Sequence, residues 1–264
     1  MFGGFTGLKT PNSTDFGEQM LNKVASQSIR HLFTQSDQVD VAVRCYPSSK
    51  LLQGSIDNFK MSGRGLVIRR DFRVEEMTFE TDAVSIDVGA IFGGQLRLKQ
   101  PTQAVAQIAL TEADLNEAFE AELVKAKLQN LELEPLMNFS GGEPVSFRDV
   151  SLKLLPDNGV EIYAKTDLPN RQDVLLAIRA TLGVEKRRRI VFKDSVFLGD
   201  RVPDDLRGLS ETLSMVFADV LNAMVDLDRF DLDGVLLRLN RLETSGQKLL
   251  FSGYAQIEHF PGIK

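Results

Sequence analysis

Hydrophobic and polar positions alternate along much of this chain, and where alternation stops the spacing changes to threes and fours. Phe16, Met20 and Val24, with Leu21, Ser28 and Leu32 beside them, recur at helical steps. They predict a helix over about 16–33 that Ser13 or Asp15 can cap. VDVAVRCY then alternates with period two, the mark of a half-buried strand. Pro47 ends it, because proline has no N–H to give the ladder. From about 54 to 110 strand follows strand. Met77, Phe79, Thr81 and Ala83 fall on one face, and Glu76, Thr78, Glu80 and Asp82 on the other, so one side of this sheet is expected dry and the other wet. Gly63 and Gly65 predict a bulge or a sharp bend within one strand, and Gly93-Gly94 and Gln100-Pro101 predict turns.

Thr111 and Asp114 have the spacing of a capping box, with Asp in place of the usual Glu. They open a helix expected to run to about Asn130 with Leu115, Ala118, Phe119, Leu123 and Ala126 on one face. After Pro135 and the Gly141-Gly142 turn a second meander follows. SFRDVSLKLLP and VEIYAKTDL flank Asp157-Asn158-Gly159, a hairpin signal because Asn-Gly tolerates positive φ. Strands over 174–184 and 190–198 complete it. A third helix is expected over about 210–225; its apolar positions run nearly all round, which predicts deep burial. Two last strands, about 232–242 and 248–258, turn at Ser245-Gly246. The order is helix then sheet, three times. The expected fold is therefore α+β, with long antiparallel strands curled around helices. The expected organisation is a flexible segment over 1–15 and one domain of three such units over 16–264.

Composition narrows the functions. With 264 residues, 43% hydrophobic and 26% charged, the chain can bury a core. A net charge of −6 argues against nucleic acid as a partner. The single Cys45 alternates with Val39, Val41 and Val43, which places it in a buried strand position and leaves no intrachain disulfide. Residues 1–8 lack a basic n-region, and no apolar run reaches membrane-spanning length. The expectation is a soluble or peripheral protein of the cytoplasm.

Catalytic and metal motifs are missing. His31 and His259 lie near opposite ends, no G-x-S-x-G elbow holds a serine, and HExxH is absent. The aspartate run over 226–234 resembles a calcium loop, but aligning Gly234 leaves Arg229 and Asn240 where acids are required. No cofactor or metal is called for. Lys186, Arg187, Arg188 and Arg189 form the sharpest charge feature. They read either as a solvated turn guarding a sheet edge or as a dock for phosphate headgroups. Arg69, Arg70 and Arg73 form a second basic cluster. Phenylalanine numbers 17, methionine 7 and tryptophan none, a supply of pliable apolar side chains.

The stretches KLLQGSIDNFKMSGRGLVI, FRVEEMTFETDAVSIDVG, LRLKQPTQAVAQIALTEADLNEAF and GGEPVSFRDVSLKLLP give the chain a family likeness. It resembles the LmeA-like phospholipid-binding family over about 25–198, and most of all its cyanobacterial branch. The resemblance implies a tubular lipid-binding (TULIP-like) architecture and a non-enzymatic binder of phospholipid or fatty acid. The better-known members of that family are envelope proteins with export signals; residues 1–8 depart from them there, so the place expected is the cytoplasmic face of a membrane. On that reading Phe59, Met61, Met77, Phe79, Phe217, Leu221 and Met224 are expected to line the lipid groove, with Lys186–Arg189 meeting headgroups. The alternative is a scaffold that holds a membrane protein complex and carries no lipid.

Overall fold

Strands whose alternate residues are apolar must cover one face, and this chain covers its longer strands in two antiparallel sheets. The computed structural model describes residues 13–30, 33–47, 49–68, 72–93, 95, 97–229 and 234–259. The first part runs helix α1 (Ser13–Arg30), strand β1 (Gln38–Arg44), one-turn helix α2 (Ser49–Leu52), β2 (Ser55–Ile56), β3 (Asn58–Ile68), β4 (Phe72–Thr81), β5 (Val84–Ser85), α3 (Val88–Phe92) and β6 (Thr102–Thr111). Then come α4 (Glu112–Glu120), α5 (Glu122–Leu128), α6 (Glu134–Ser140) and the strands β7 (Phe147–Leu154), β8 (Gly159–Leu168), β9 (Arg171–Glu185) and β10 (Arg189–Phe197). Helix α7 (Arg207–Met224) and the strands β11 (Val235–Ser245) and β12 (Lys248–Ile257) follow.

The larger sheet has the order β1-β3-β4-β6-β12-β11, the smaller β10-β9-β8-β7, and β2 pairs with β5. The third helix-plus-hairpin unit thus builds no sheet of its own: β12 pairs with β6, and β11 becomes an edge of the first sheet. The expected α+β class with long antiparallel strands holds. The expected helix starts at Ser13, and residues 1–12 of the predicted flexible segment lie outside the described residues.

Local chemistry explains most boundaries. Thr111 caps α4 by accepting the Asp114 N–H at 3.1 Å, while Asp114 accepts from the Thr111 N–H at 2.7 Å, the predicted box. Asp157 and Asn158 both take positive φ in the β7–β8 turn, as Asn-Gly promised. At Gly65, with φ +55°, a Cβ would lie 2.0 Å from an Asp37 carboxylate oxygen. The β3–β4 register nevertheless runs through unbroken, so the residue marks a bend and not a bulge.

Three expectations need correction. The helix predicted from Thr111 to Asn130 breaks at Ala121, which is extended at ψ 136° and buried. The break turns the buried face: beyond it Val124 and Leu128 point inward, while Leu123 is 47% exposed. Short helices α3 and α6 stand where strands or turns were read. Their runs of five and seven residues are too brief for periodicity to declare. Helix α7 is also not enclosed. Leu213, Phe217, Val220 and Leu221 are buried, while Met215 is 41% exposed and Glu211 and Asp219 face solvent.

Helix α7 packs on β9 and β10, with Phe217 against Phe147 at a ring-centroid distance of 4.8 Å. Its hydroxyls also take over the edge of β9 where β10 ends. The β9–β10 pairing stops at Ile178 and Phe197, and beyond it Ser214 accepts the Ala177 N–H at 3.2 Å while Ser210 donates to the Leu175 carbonyl. Two apolar cores result. One gathers the small sheet, α7 and the part of the large sheet around Leu242, Leu249 and Phe251. The other gathers Ala25 and Ile29 of α1 with Val39, Val43, Phe59, Met61 and Leu66.

Candidate functional site

Residues paired directly across an antiparallel sheet project from the same face, so the register fixes the inner surface of the large sheet row by row. One row reads Val41, Met61, Phe79, Ala106, Gly253, Leu239. The next toward the β1 exit reads Val43, Phe59, Thr81, Ala104, Ala255, Leu237. In the other direction lies Val39, Gly63, Met77, Ile108, Phe251, Leu242. Large side chains therefore stand on both flanks, and the neighbouring strands β6 and β12 carry Ala104, Ala106, Gly253 and Ala255 between them. Ala104, Ala106 and Ala255 are buried, at 2%, 6% and 0% exposure. Among the described residues they join neither apolar core, although Phe59 and Met61 belong to one and Leu239 to the other. The small-residue floor is the seam between the cores. Gly253 has a structural reason as well: a Cβ there would come within 2.1 Å of the Arg238 carbonyl, beside the β11–β12 irregularity.

One end of this face is closed by α4, which lies against β4, β6 and β7. Arg73 Nη1 donates to Asp114 Oδ1 at 2.6 Å, and Arg73 Nη2 donates to Glu75 at 2.9 Å. Arg73 thus meets carboxylates on β4 and α4; Arg69 and Arg70, the rest of that predicted cluster, lie outside the described residues.

The seven predicted lining residues fall into two places. Phe59, Met61, Met77 and Phe79 share the inner face of the large sheet, with Phe59 and Met61 buried and Met77 and Phe79 half-buried. Phe217, Leu221 and Met224 lie on α7 inside the other core, with Phe217 fully buried. The central floor was missed because Ala and Gly are weak signals of anything. Its one trace is the alternation of Ala104, Ala106 and Ile108 in TQAVAQIALT.

Lys186 and Arg187 occupy a tight hairpin turn at positive φ, as one of the two readings required. Each arginine has a partner, although Arg187 is itself exposed. Arg187 donates to Asn240 at 2.6 Å and its guanidinium lies 5.6 Å from the Tyr254 ring centroid. Arg188 bonds Asp228, which holds the arginine above its ordinary value and the carboxylate below its own. Arg189 donates to the Asn222 carbonyl near the end of α7 at 3.0 Å. The backbone joins in, with the Leu239 N–H donating to the Arg187 carbonyl at 2.7 Å. The run therefore clasps the small sheet to β11, while Lys186 is exposed.

Among the described residues no three His, Cys, Asp or Glu side chains gather as metal ligands, and no helix is long and apolar enough to cross a membrane. A shallow hollow lined by Glu132, Glu134, Met137, Asn138, Gly141 and Gly142 lies apart from all the predicted residues. What the fold offers is an apolar inner face floored by small, buried residues. Comparison with known families matches residues 13–253 to the LmeA-like phospholipid-binding family, and the chain belongs to that family. No curated protein and no solved structure matches it.

Proposed function

We propose that the protein holds the acyl chains of a phospholipid or fatty acid along the seam of the large sheet, as a peripheral carrier or sensor of the TULIP-like kind. The observation that carries this is the column Ala104, Ala106, Gly253 and Ala255, set between Phe59, Met61 and Phe79 on one flank and Leu237 and Leu239 on the other. On this reading the low bulk of β6 and β12 makes a furrow for the chains, with walls of methionine, phenylalanine and leucine. Such walls grip hydrocarbon without directional bonds. Membership of a phospholipid-binding family supports the ligand class. On this reading Met77 and Phe79 are the predicted residues nearest the ligand, and Phe217, Leu221 and Met224 back the furrow from the neighbouring core. Lys186 and Arg187 are the exposed members of the basic run and so the ones open to a headgroup, while Arg188 and Arg189 hold the hairpin down.

Native mass spectrometry of the purified protein, followed by organic extraction, tests the proposal. Discrete added mass that resolves into phospholipid or fatty acid is the expected result. A clean apo mass that survives incubation with liposomes would overturn it and favour a scaffold role.

A further inference from the structure

Tyr46 is 80% exposed and Leu52 is 76% exposed, the highest values among the large hydrophobic side chains described. A soluble protein leaves single apolar residues in water without consequence, but these two flank one tight turn. The Lys50 N–H donates to the Pro47 carbonyl at 3.0 Å, and the Gln53 N–H to the Lys50 carbonyl at 3.0 Å, so α2 presents both side chains from one small loop. Asp57 fixes that loop. Its carboxylate takes the Tyr46 N–H at 2.6 Å and Lys50 Nζ at 2.6 Å, and the Lys50 contact leads in holding its pKa below the usual range. The exposure is therefore built into a braced turn.

Position adds a second argument. Arg44 pairs with Asn58, one step beyond the row that contains Phe59, Ala104 and Ala255. The loop thus stands at the end of the sheet opposite α4, where the small-residue floor runs out. Leu236, Val105 and Tyr254, exposed at 44%, 49% and 44%, lie on the outer face toward this same end. Charge adds a third. Lys99 Nζ lies over Gly54, where an added Cβ would come within 2.9 Å of it, so Lys50 and Lys99 both stand beside the exposed pair. Arg44 is exposed next to them. Of the acids on this side, Asp57 is paired with Lys50 and Glu80 lies in the field of Arg44, which leaves Lys99 as the cation turned to the exposed pair. Aromatic and aliphatic side chains ringed by lysine are what a bilayer interface with anionic headgroups accepts, the apolar parts entering and the ammonium groups staying at the phosphates.

We infer that the loop bearing Tyr46 and Leu52 is the edge by which the protein seats on an anionic bilayer, with Lys99 at the headgroups and Lys50 holding the loop through Asp57. The inference rests on the furrow reading in one respect: seated this way, the end of the furrow away from α4 faces the membrane.

The test is co-sedimentation of the full chain with phosphatidylcholine vesicles and with the same vesicles doped with phosphatidylglycerol. The wild type is expected to favour the anionic vesicles. The Tyr46→Ser/Leu52→Ser double variant should bind them roughly tenfold or more weakly, the loss of one or two buried apolar side chains. Its melting temperature and its bound lipid by native mass spectrometry should be unchanged, because neither side chain is in a core. Lys99→Glu should lower binding to the anionic vesicles alone. A double variant that sediments like wild type would overturn the inference. So would a wild type that ignores both vesicles, as a protein-docking edge would, or a Lys186→Glu/Arg187→Glu variant that alone loses binding. Vesicle binding that depends on Tyr46 and Leu52 in a protein with no lipid mass would uphold the docking edge and remove the furrow.

Discussion

Arg73 on β4 and Asp114 on α4 lie 41 residues apart in sequence and 2.6 Å apart in space. Asp114 does two jobs with one carboxylate, since it also closes the cap of α4 through the Thr111 hydroxyl and N–H. Burial, at 4% exposure, pushes its pKa up, but the Thr111 bonds and Arg73 together outweigh that and hold it below the usual carboxylate range. The helix that closes one end of the inner face is thereby anchored to the sheet beneath it.

Asp114→Asn is expected to cost about 2 kcal/mol at neutral pH, from a lost cap acceptor and a broken charged hydrogen bond. Because the folded pKa is depressed, this stabilisation is present above the ordinary aspartate value and is lost as pH falls through the folded value. Thermal melts of the two proteins from pH 7 downward check it. The gap should start to close below about pH 4, and a gap that stays constant into strong acid would show that the charge is not the source.

Ala106→Leu separates a furrow from a closed core. In a furrow the added methylenes occupy the ligand's space, so bound lipid falls while the melting temperature holds. In a packed interior the same change should cost about 1–3 kcal/mol through overpacking. Differential scanning fluorimetry with lipid extraction reads both at once.

Phe79→Asp places a carboxylate on the half-buried inner face, between Met61 and Ala106. The fold is expected to persist with reduced stability and the lipid load to disappear, as measured by native mass spectrometry. A folded variant with a full load would put the ligand elsewhere.

Phe217→Ala should behave in the opposite way. Its ring is fully buried against Phe147, so truncation should cost about 3–5 kcal/mol, visible as a lower urea midpoint. Folded molecules should keep their lipid, because this residue backs the furrow from the other core.

The features legible in the sequence were those with a local cause. The Thr111–Asp114 box, the Asp157-Asn158 turn and the dry face of Met77 and Phe79 each follow from residues within a few positions of one another. What escaped had a distant cause. No nearby residue stops the helix at Ala121; the break lets both Ala121 and Leu128 reach buried positions. The apolar breadth of α7 implied enclosure, yet Met215 is left outside because only one face of the helix meets the small sheet. Arginines in a row read as a solvated turn or a headgroup dock, while their partners Asp228, Asn222 and Asn240 lie 33 to 53 residues away. The floor needs Ala104 to meet Ala255, and nothing in either stretch announces the other.

On the proposed reading that last pairing couples ligand and fold. Strand β6 lies on one side of the small sheet and α7 in sequence, and β12 on the other; Lys248 reaches Glu76 across 172 residues. The floor therefore does not exist as a surface until these distant segments have zipped together, and before that β6 shows a bare edge. A ligand seated on Ala104, Ala106, Gly253 and Ala255 touches both halves of that closure. Its binding free energy adds directly to the cost of pulling β12 away, by RT ln(1 + [L]/Kd). Occupancy becomes readable in how firmly the sheet stays shut, as protection of the β6–β12 amides against hydrogen exchange.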